Sequence, residues 1–126
     1  MCGIAGWAGS KKSFKNTLAD KTKVINKILD FQNHRGPGAR GIWAKNGNPI
    51  VLGHNRLSII ELSEAGAQPM QSADGRWVIS YNGELYNYQS LRRNLEEKFG
   101  VLFKGNSDTE VFLHGFINYG VDEFLR

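Results

Sequence analysis

Between Ser13 and Asp30 the apolar residues Phe14, Leu18, Val24, Ile25, Ile28 and Leu29 recur at helical spacing, with lysines falling between them. That pattern predicts an amphipathic helix with one buried stripe. It breaks at His34-Arg35-Gly36-Pro37-Gly38, because a residue before proline avoids the helical region and glycine admits conformations other residues do not. Before the helix, Cys2 to Ala8 is apolar and punctuated by glycine, which predicts a short buried strand. After it, Ala39 to Lys45 and Ile50 to Ile60 read as two strands joined by the hairpin signal Asn46-Gly47. A polar stretch from Glu61 to Gln71 leads through Asp74-Gly75 to a strand from Arg76 to Tyr81, which ends at the turn pair Asn82-Gly83. Leu91, Leu95 and Phe99 mark one face of a helix over Asn87 to Lys98, closed by Gly100. Ser107-x-x-Glu110 is a capping-box pattern that opens a last helix toward Tyr119. Hairpins interleaved with helices predict an α+β fold, with antiparallel sheet flanked by helices.

Composition narrows the classes without changing this picture. A chain of 126 residues with 40% hydrophobic and 22% charged residues is globular and large enough for one core. Its net charge of +4 is spread over Lys11, Lys12, Lys15, Lys21, Lys23, Lys27, Arg92 and Arg93, so solvated helix faces are expected rather than a nucleic-acid patch. A single cysteine permits no internal disulfide, and no leader pattern opens the chain, so a cytoplasmic location is expected. Nothing approaches the ~18 consecutive apolar residues of a membrane span. His34, His54 and His114 are too scattered to suggest a metal site, and no glycine-rich phosphate loop is present.

Four positions can carry chemistry. If the initiator methionine is removed, Cys2 joins a thiol to a free α-amine. A free thiol in general titrates near ~8.5 and a free α-amine near ~7.7–8.0, so a fraction of such an amine is unprotonated at neutral pH and able to take a thiol proton. The plain alternative is a small apolar residue in a terminal strand. Asn82 offers a side-chain amide beside the unobstructed N–H of Gly83, which suits an oxyanion, although an Asn-Gly pair after a strand also makes an ordinary turn. Arg56 can hold a carboxylate through two parallel hydrogen bonds, or can be a surface arginine. Asp108 can receive an ammonium group, or can simply complement a helix dipole.

Six motifs then occur in order: Met1-Cys2-Gly3-Ile4-Ala5-Gly6, His34-Arg35-Gly36-Pro37, Gly53-His54-Asn55-Arg56-Leu57-Ser58-Ile59-Ile60-Glu61-Leu62, Gly66-Ala67-Gln68-Pro69-Met70, Tyr81-Asn82-Gly83-Glu84-Leu85-Tyr86-Asn87-Tyr88 and Ser107-Asp108-Thr109-Glu110. Together they resemble the glutaminase domain of the glutamine-hydrolysing asparagine synthetases, within the class II glutamine amidotransferases of the N-terminal-nucleophile fold. The resemblance implies a four-layer αββα sandwich and hydrolysis of the glutamine side-chain amide to glutamate and ammonia. It implies that Cys2 is the nucleophile with its own α-amine as base, and that Asn82 and Gly83 form the oxyanion hole. By the same resemblance Arg56 binds the substrate α-carboxylate, Asp108 with Glu84 holds its α-ammonium, and the main chain of Ile59 and Ile60 helps to orient it.

The family places aspartate after Arg-Gly-Pro. Gly38 stands there in this chain, removing a carboxylate that would help to fix the loop. The family's glutaminase domain also continues past the equivalent of Arg126, so residues 1–126 are expected to be the N-terminal part of such a domain. Its remaining strands would be absent, as would a synthetase domain, normally in the same chain, that uses ATP and Mg to convert aspartate to asparagine. Unpaired sheet edges would then favour self-association. Competing readings are a non-catalytic interaction module, or the amidotransferase half of an enzyme of sugar or antibiotic biosynthesis.

Overall fold

The computed structural model describes residues 1–9, 17–57 and 63–126. Length alone predicts one core, whereas the chain falls into two compact units. One comprises Met1–Ser58, Ala67–Pro69 and Ser80–Asn82, and the other Ile59–Gly66, Met70–Ile79 and Gly83–Arg126. Both mix helix and antiparallel strand, so the fold is α+β.

In the first unit, strands β1 (Gly3–Ala8), β2 (Ala39–Ala44) and β3 (Ile50–Arg56) form an antiparallel sheet with β3 in the centre. Asn46-Gly47 links β2 to β3 as expected, with Gly47 at φ +76°. Helix α1 (Leu18–Phe31) covers one face. Ala5, Ile25, Leu29 and Val51 are its core, with Trp7, Leu18, Ile42 and Ala44 packed around them. Gly53 is what lets the helix lie directly on the strand. A β-carbon there would stand 2.5 Å from Ile25 Cγ2 and 2.9 Å from Leu29 Cδ1. Asn55, on the same face, donates to the Leu29 carbonyl at 2.5 Å and accepts from Arg40 Nε at 3.0 Å, so the helix end and two strands share one buried amide.

Three expectations for this unit need correction. Helix α1 starts at Leu18 rather than Ser13, because Thr17 and Asp20 form a reciprocal capping box: Thr17 Oγ1 accepts from Asp20 N, and Asp20 Oδ2 accepts from Thr17 N. Ser13 and Phe14 lie outside the described residues. Lys21 is buried rather than solvated. Strand β3 leaves the ladder after Arg56, and the Ser58–Ile60 part of the expected strand lies outside the described residues.

Period-two alternation turns Leu52, His54 and Arg56 to the face away from α1, with Ile4 and Gly41 paired on either side of His54. Residues 67–69 and 80–82 cross this second face. A β-carbon on Gly41 would collide with the Gln68 carbonyl oxygen, so glycine permits the crossing. Gln68 Oε1 in turn accepts the Tyr81 N–H at 2.6 Å.

The second unit carries a small hairpin and helices α2 (Tyr88–Phe99), α3 (Asp108–Tyr119) and α4 (Val121–Phe124). The strand expected over Arg76 to Tyr81 shrinks to β5 (Val78–Ile79), paired with β4 (Met70–Gln71). A tight Ser72–Trp77 turn ends the pairing on one side, and on the other Tyr81 gives its N–H to Gln68 instead of a ladder partner. Gly83 is not among the glycines at positive φ, so Asn82-Gly83 does not make a primed hairpin turn. Gly100 closes α2 in the left-handed conformation at φ +66°, as expected. The capping box expected at α3 does not form, although Ser107 still caps the helix. Ser107 Oγ accepts from Thr109 N at 3.1 Å, and Glu110 accepts from Lys104 N at 2.8 Å and Gly105 N at 3.0 Å, two donors of the preceding loop.

Candidate active site around Cys2

Cys2 immediately precedes β1, so the sheet fixes its main chain while its side chain stays half-buried. Its nitrogen donates to Asn82 Oδ1 at 2.9 Å. Its carbonyl accepts from Arg35 Nε at 3.1 Å. Its Sγ accepts the Leu57 N–H at 3.3 Å and stands 3.9 Å from the Leu57 carbonyl. Nitrogen, carbonyl and sulfur are thus each held by a different chain segment.

Each partner has a local reason for its place. Leu57 is the first residue beyond the β3 ladder, so its N–H is released from strand pairing and turned to the sulfur. Arg35 sits in a 3-10 turn, Asn33–Arg35, followed by Gly36. A β-carbon on Gly36 would collide with the Asn55 carbonyl, so only glycine lets this loop press on β3. Despite the missing aspartate, the Gly38 N–H ties the loop to the Arg56 carbonyl at 3.2 Å. Asn82 is exposed, and since its oxygen faces the Cys2 nitrogen, its Nδ2 donors point elsewhere. Arg56 closes β3 on the face it shares with His54.

His54 is fully buried, its Nδ1 is 3.0 Å from Ser80 Oγ, and its Nε2 has no hydrogen-bond partner among the described residues. Burial pushes its pKa down to about 4 from 6.5, and the positive charge of Arg56 acts the same way. The folded unit therefore keeps the imidazole neutral, while the unfolded chain takes up a proton near pH 6.5. Stability from this group is complete above pH 6.5 and is lost as pH falls through about 4. The expected loss is about 3 kcal/mol. Denaturant titrations at pH 7 and pH 4 should show it in the parent and not in His54→Asn. An equal loss in both would assign the acid sensitivity to other groups.

The sequence profile of the glutamine amidotransferase domain matches residues 1–126, the whole chain. The chain belongs to that family. Among curated relatives, this amidotransferase domain is similar to asparagine synthetase [glutamine-hydrolyzing] 3 of Bacillus subtilis, at 36% identity over 97% of the chain and 19% of that protein. It is 39% identical to asparagine synthetase [glutamine-hydrolyzing] 1 of the same organism, over 94% of the chain and 18% of the relative. It is also 36% identical to the amidase chry2 of Gibberella zeae, over 96% of the chain and 18% of the relative. The chain thus spans about a fifth of the length of these relatives.

The remaining candidates of the amidotransferase domain divide between the units. Cys2, Arg56 and Asn82 belong to the first, and Gly83, Glu84 and Asp108 to the second. Within the second, buried Asp108 accepts the Leu85 N–H at 3.1 Å, which ties the start of α3 to the residue after exposed Glu84. Ile59 and Ile60 lie outside the described residues. Arg35 and Leu57 emerge only from the structure. Arg35 had a signal in the His34-Arg35-Gly36-Pro37 motif, whereas a main-chain donor such as Leu57 N–H leaves none. Among the described residues no group of three or more His, Cys, Asp or Glu side chains could hold a metal ion, and no helix is long and apolar enough to cross a membrane.

Proposed function

We propose that the chain hydrolyses the side-chain amide of glutamine, with Cys2 as nucleophile and, once Met1 is removed, the Cys2 α-amine as general base. The observation that carries this reading is the bond from the Cys2 nitrogen to Asn82 Oδ1, made beside a sulfur that already accepts the Leu57 N–H. Met1 is 75% exposed, so its removal costs no buried packing.

The amine takes the thiol proton and sulfur attacks the amide carbon. Charge gathers on the carbonyl oxygen, where an Asn82 Nδ2–H can meet it. Collapse breaks the carbon–nitrogen bond, and the proton held by the amine leaves with ammonia. Water then gives a proton to the amine as it attacks the thioester, releasing glutamate and restoring the thiol. Arg56 grips the substrate α-carboxylate. The α1 layer on the three-stranded sheet supports placing the first unit within the helix-on-sheet half of an αββα sandwich.

Resemblance to asparagine synthetases extends the proposal to an ammonia acceptor, with aspartate converted to asparagine by an ATP- and Mg-dependent synthetase domain. Similarity to the amidase chry2 supports a second reading, in which the same glutaminase chemistry serves a different acceptor. Glutamine hydrolysis itself is tested by following glutamate and ammonia together. Equimolar release by protein beginning at Cys2 is the expected outcome, and no release would refute the proposal.

Two substitutions separate chemistry from binding. Asn82→Ala should lower kcat by roughly 10²–10³ with little change in KM, because the interaction forms only as charge develops. Arg56→Lys keeps the charge but loses the two-point grip, so KM should rise about tenfold with kcat nearly unchanged. Steady-state kinetics giving the reverse pattern would mean that the two roles are exchanged.

A further inference from the structure

We infer that His54 is a positioning residue for glutamine hydrolysis, holding Asn82 in register with Cys2 through Ser80. The inference rests on the oxyanion role proposed for Asn82 and adds the element that aims it.

Asn82 lies outside any helix or ladder, in a segment whose regular pairing ends at Ile79. An exposed residue on such a segment has no intrinsic reason to hold one position. The three residues Ser80–Asn82 are instead pinned one after another. His54 Nδ1 meets Ser80 Oγ at 3.0 Å, Gln68 Oε1 accepts the Tyr81 N–H at 2.6 Å, and Asn82 Oδ1 accepts the Cys2 nitrogen at 2.9 Å. Of the first two anchors, His54 is the one built into the central strand. It stands on β3 two residues before Arg56 and three before Leu57, and its backbone register faces Ile4 of β1 and Gly41 of β2. Its burial is complete, and its other nitrogen is unpartnered among the described residues. Burying an imidazole with one nitrogen unsatisfied is unfavourable for stability, and an apolar residue would pack there at lower cost. A specific bond to Ser80 accounts for a histidine at this point. Because β3 also carries Arg56 and the Leu57 N–H, a single rigid strand then sets the carboxylate grip, the donor to sulfur and the register of the oxyanion amide. Small misplacements of such groups are costly, since a shift near 1 Å can lower a rate by about 10².

The test combines kinetics with an aldehyde analogue of glutamine, which adds the Cys2 thiol to form a tetrahedral adduct whose oxygen occupies the oxyanion position. Ser80→Ala and His54→Gln each remove the bond, the first with minimal disturbance of packing. Each should lower kcat about 10- to 100-fold at nearly constant KM and weaken the aldehyde analogue by a similar factor. His54→Asn places an amide where Nδ1 stands and should retain most of kcat. In an Asn82→Ala background, Ser80→Ala should change kcat by less than about twofold, because the residue it positions is gone. A structural contribution to folding would instead multiply with Asn82→Ala. The inference is overturned if Ser80→Ala leaves kcat and analogue affinity intact, or if its loss persists undiminished in the Asn82→Ala background. Asn82→Ala alone separates the two levels: an unchanged kcat there refutes the oxyanion reading together with this one, whereas a large loss there with none in Ser80→Ala refutes only the positioning by His54.

Discussion

Cys2→Ser is expected to lose about 10³-fold or more of the glutamine-hydrolysing rate, with glutamine affinity nearly preserved. A hydroxyl is far harder to ionise than a thiol near neutral pH, and a neighbouring α-amine of ordinary basicity cannot make up the difference. The surroundings sharpen this expectation. The Leu57 N–H stands 3.3 Å from Sγ, and the same donor would hold the smaller serine oxygen at a different distance from the substrate carbon. Binding should change little, because the α-carboxylate grip proposed for Arg56 does not involve position 2. Isothermal titration with glutamine beside a glutamate-release assay reads both quantities. Parent-like turnover by the serine variant would remove Cys2 from the reaction.

Protein that retains Met1 should be nearly inactive, by at least the roughly 10²–10⁴ that a positioned general base contributes. The structure makes this a test of chemistry rather than of shape. With Met1 attached, the Cys2 nitrogen still donates to Asn82 Oδ1 at 2.9 Å, and the sulfur still accepts from Leu57. That nitrogen is an amide, however, with no lone pair to accept a proton. Removing Met1 converts it to an amine already oriented by Asn82, so activity should appear without a change of fold. Intact mass and circular dichroism, taken alongside turnover on samples with and without Met1, separate the two effects. Equal turnover in both forms would exclude the α-amine as base.

What could be read from the sequence follows how local each determinant is. Helix α2 and its Gly100 stop, helix α3 and its Ser107 cap, and the Asn46-Gly47 hairpin depend on contacts a few residues apart, and the structure has them where residue pattern places them. The shortening of strand β5 and the loss of the α3 capping box were not legible, because Tyr81 and Glu110 find partners that only the folded chain supplies. The start of α1 was a missed local signal, since Thr17 and Asp20 carry a capping box with aspartate in place of the more familiar glutamate. Cys2, Asn82 and Arg56 could be named as candidates because their side chains are chemically distinctive. The bond from Cys2 to Asn82 spans 80 residues and could not be read from spacing. Leu57 acts through its main chain, and His54 through Ser80, so residue type pointed to neither.

The central claim is that Cys2, with its own nitrogen free, carries the acyl group of glutamine. The most direct measurement is rapid acid quenching during turnover, followed by mass analysis of the N-terminal peptide from protein beginning at Cys2 and from protein beginning at Met1. The account predicts a glutamyl thioester on Cys2 in the first sample, formed and lost at rates consistent with glutamate release, and none in the second. Glutamate release without any adduct on Cys2, or an adduct of equal yield in the Met1-bearing protein, would contradict it.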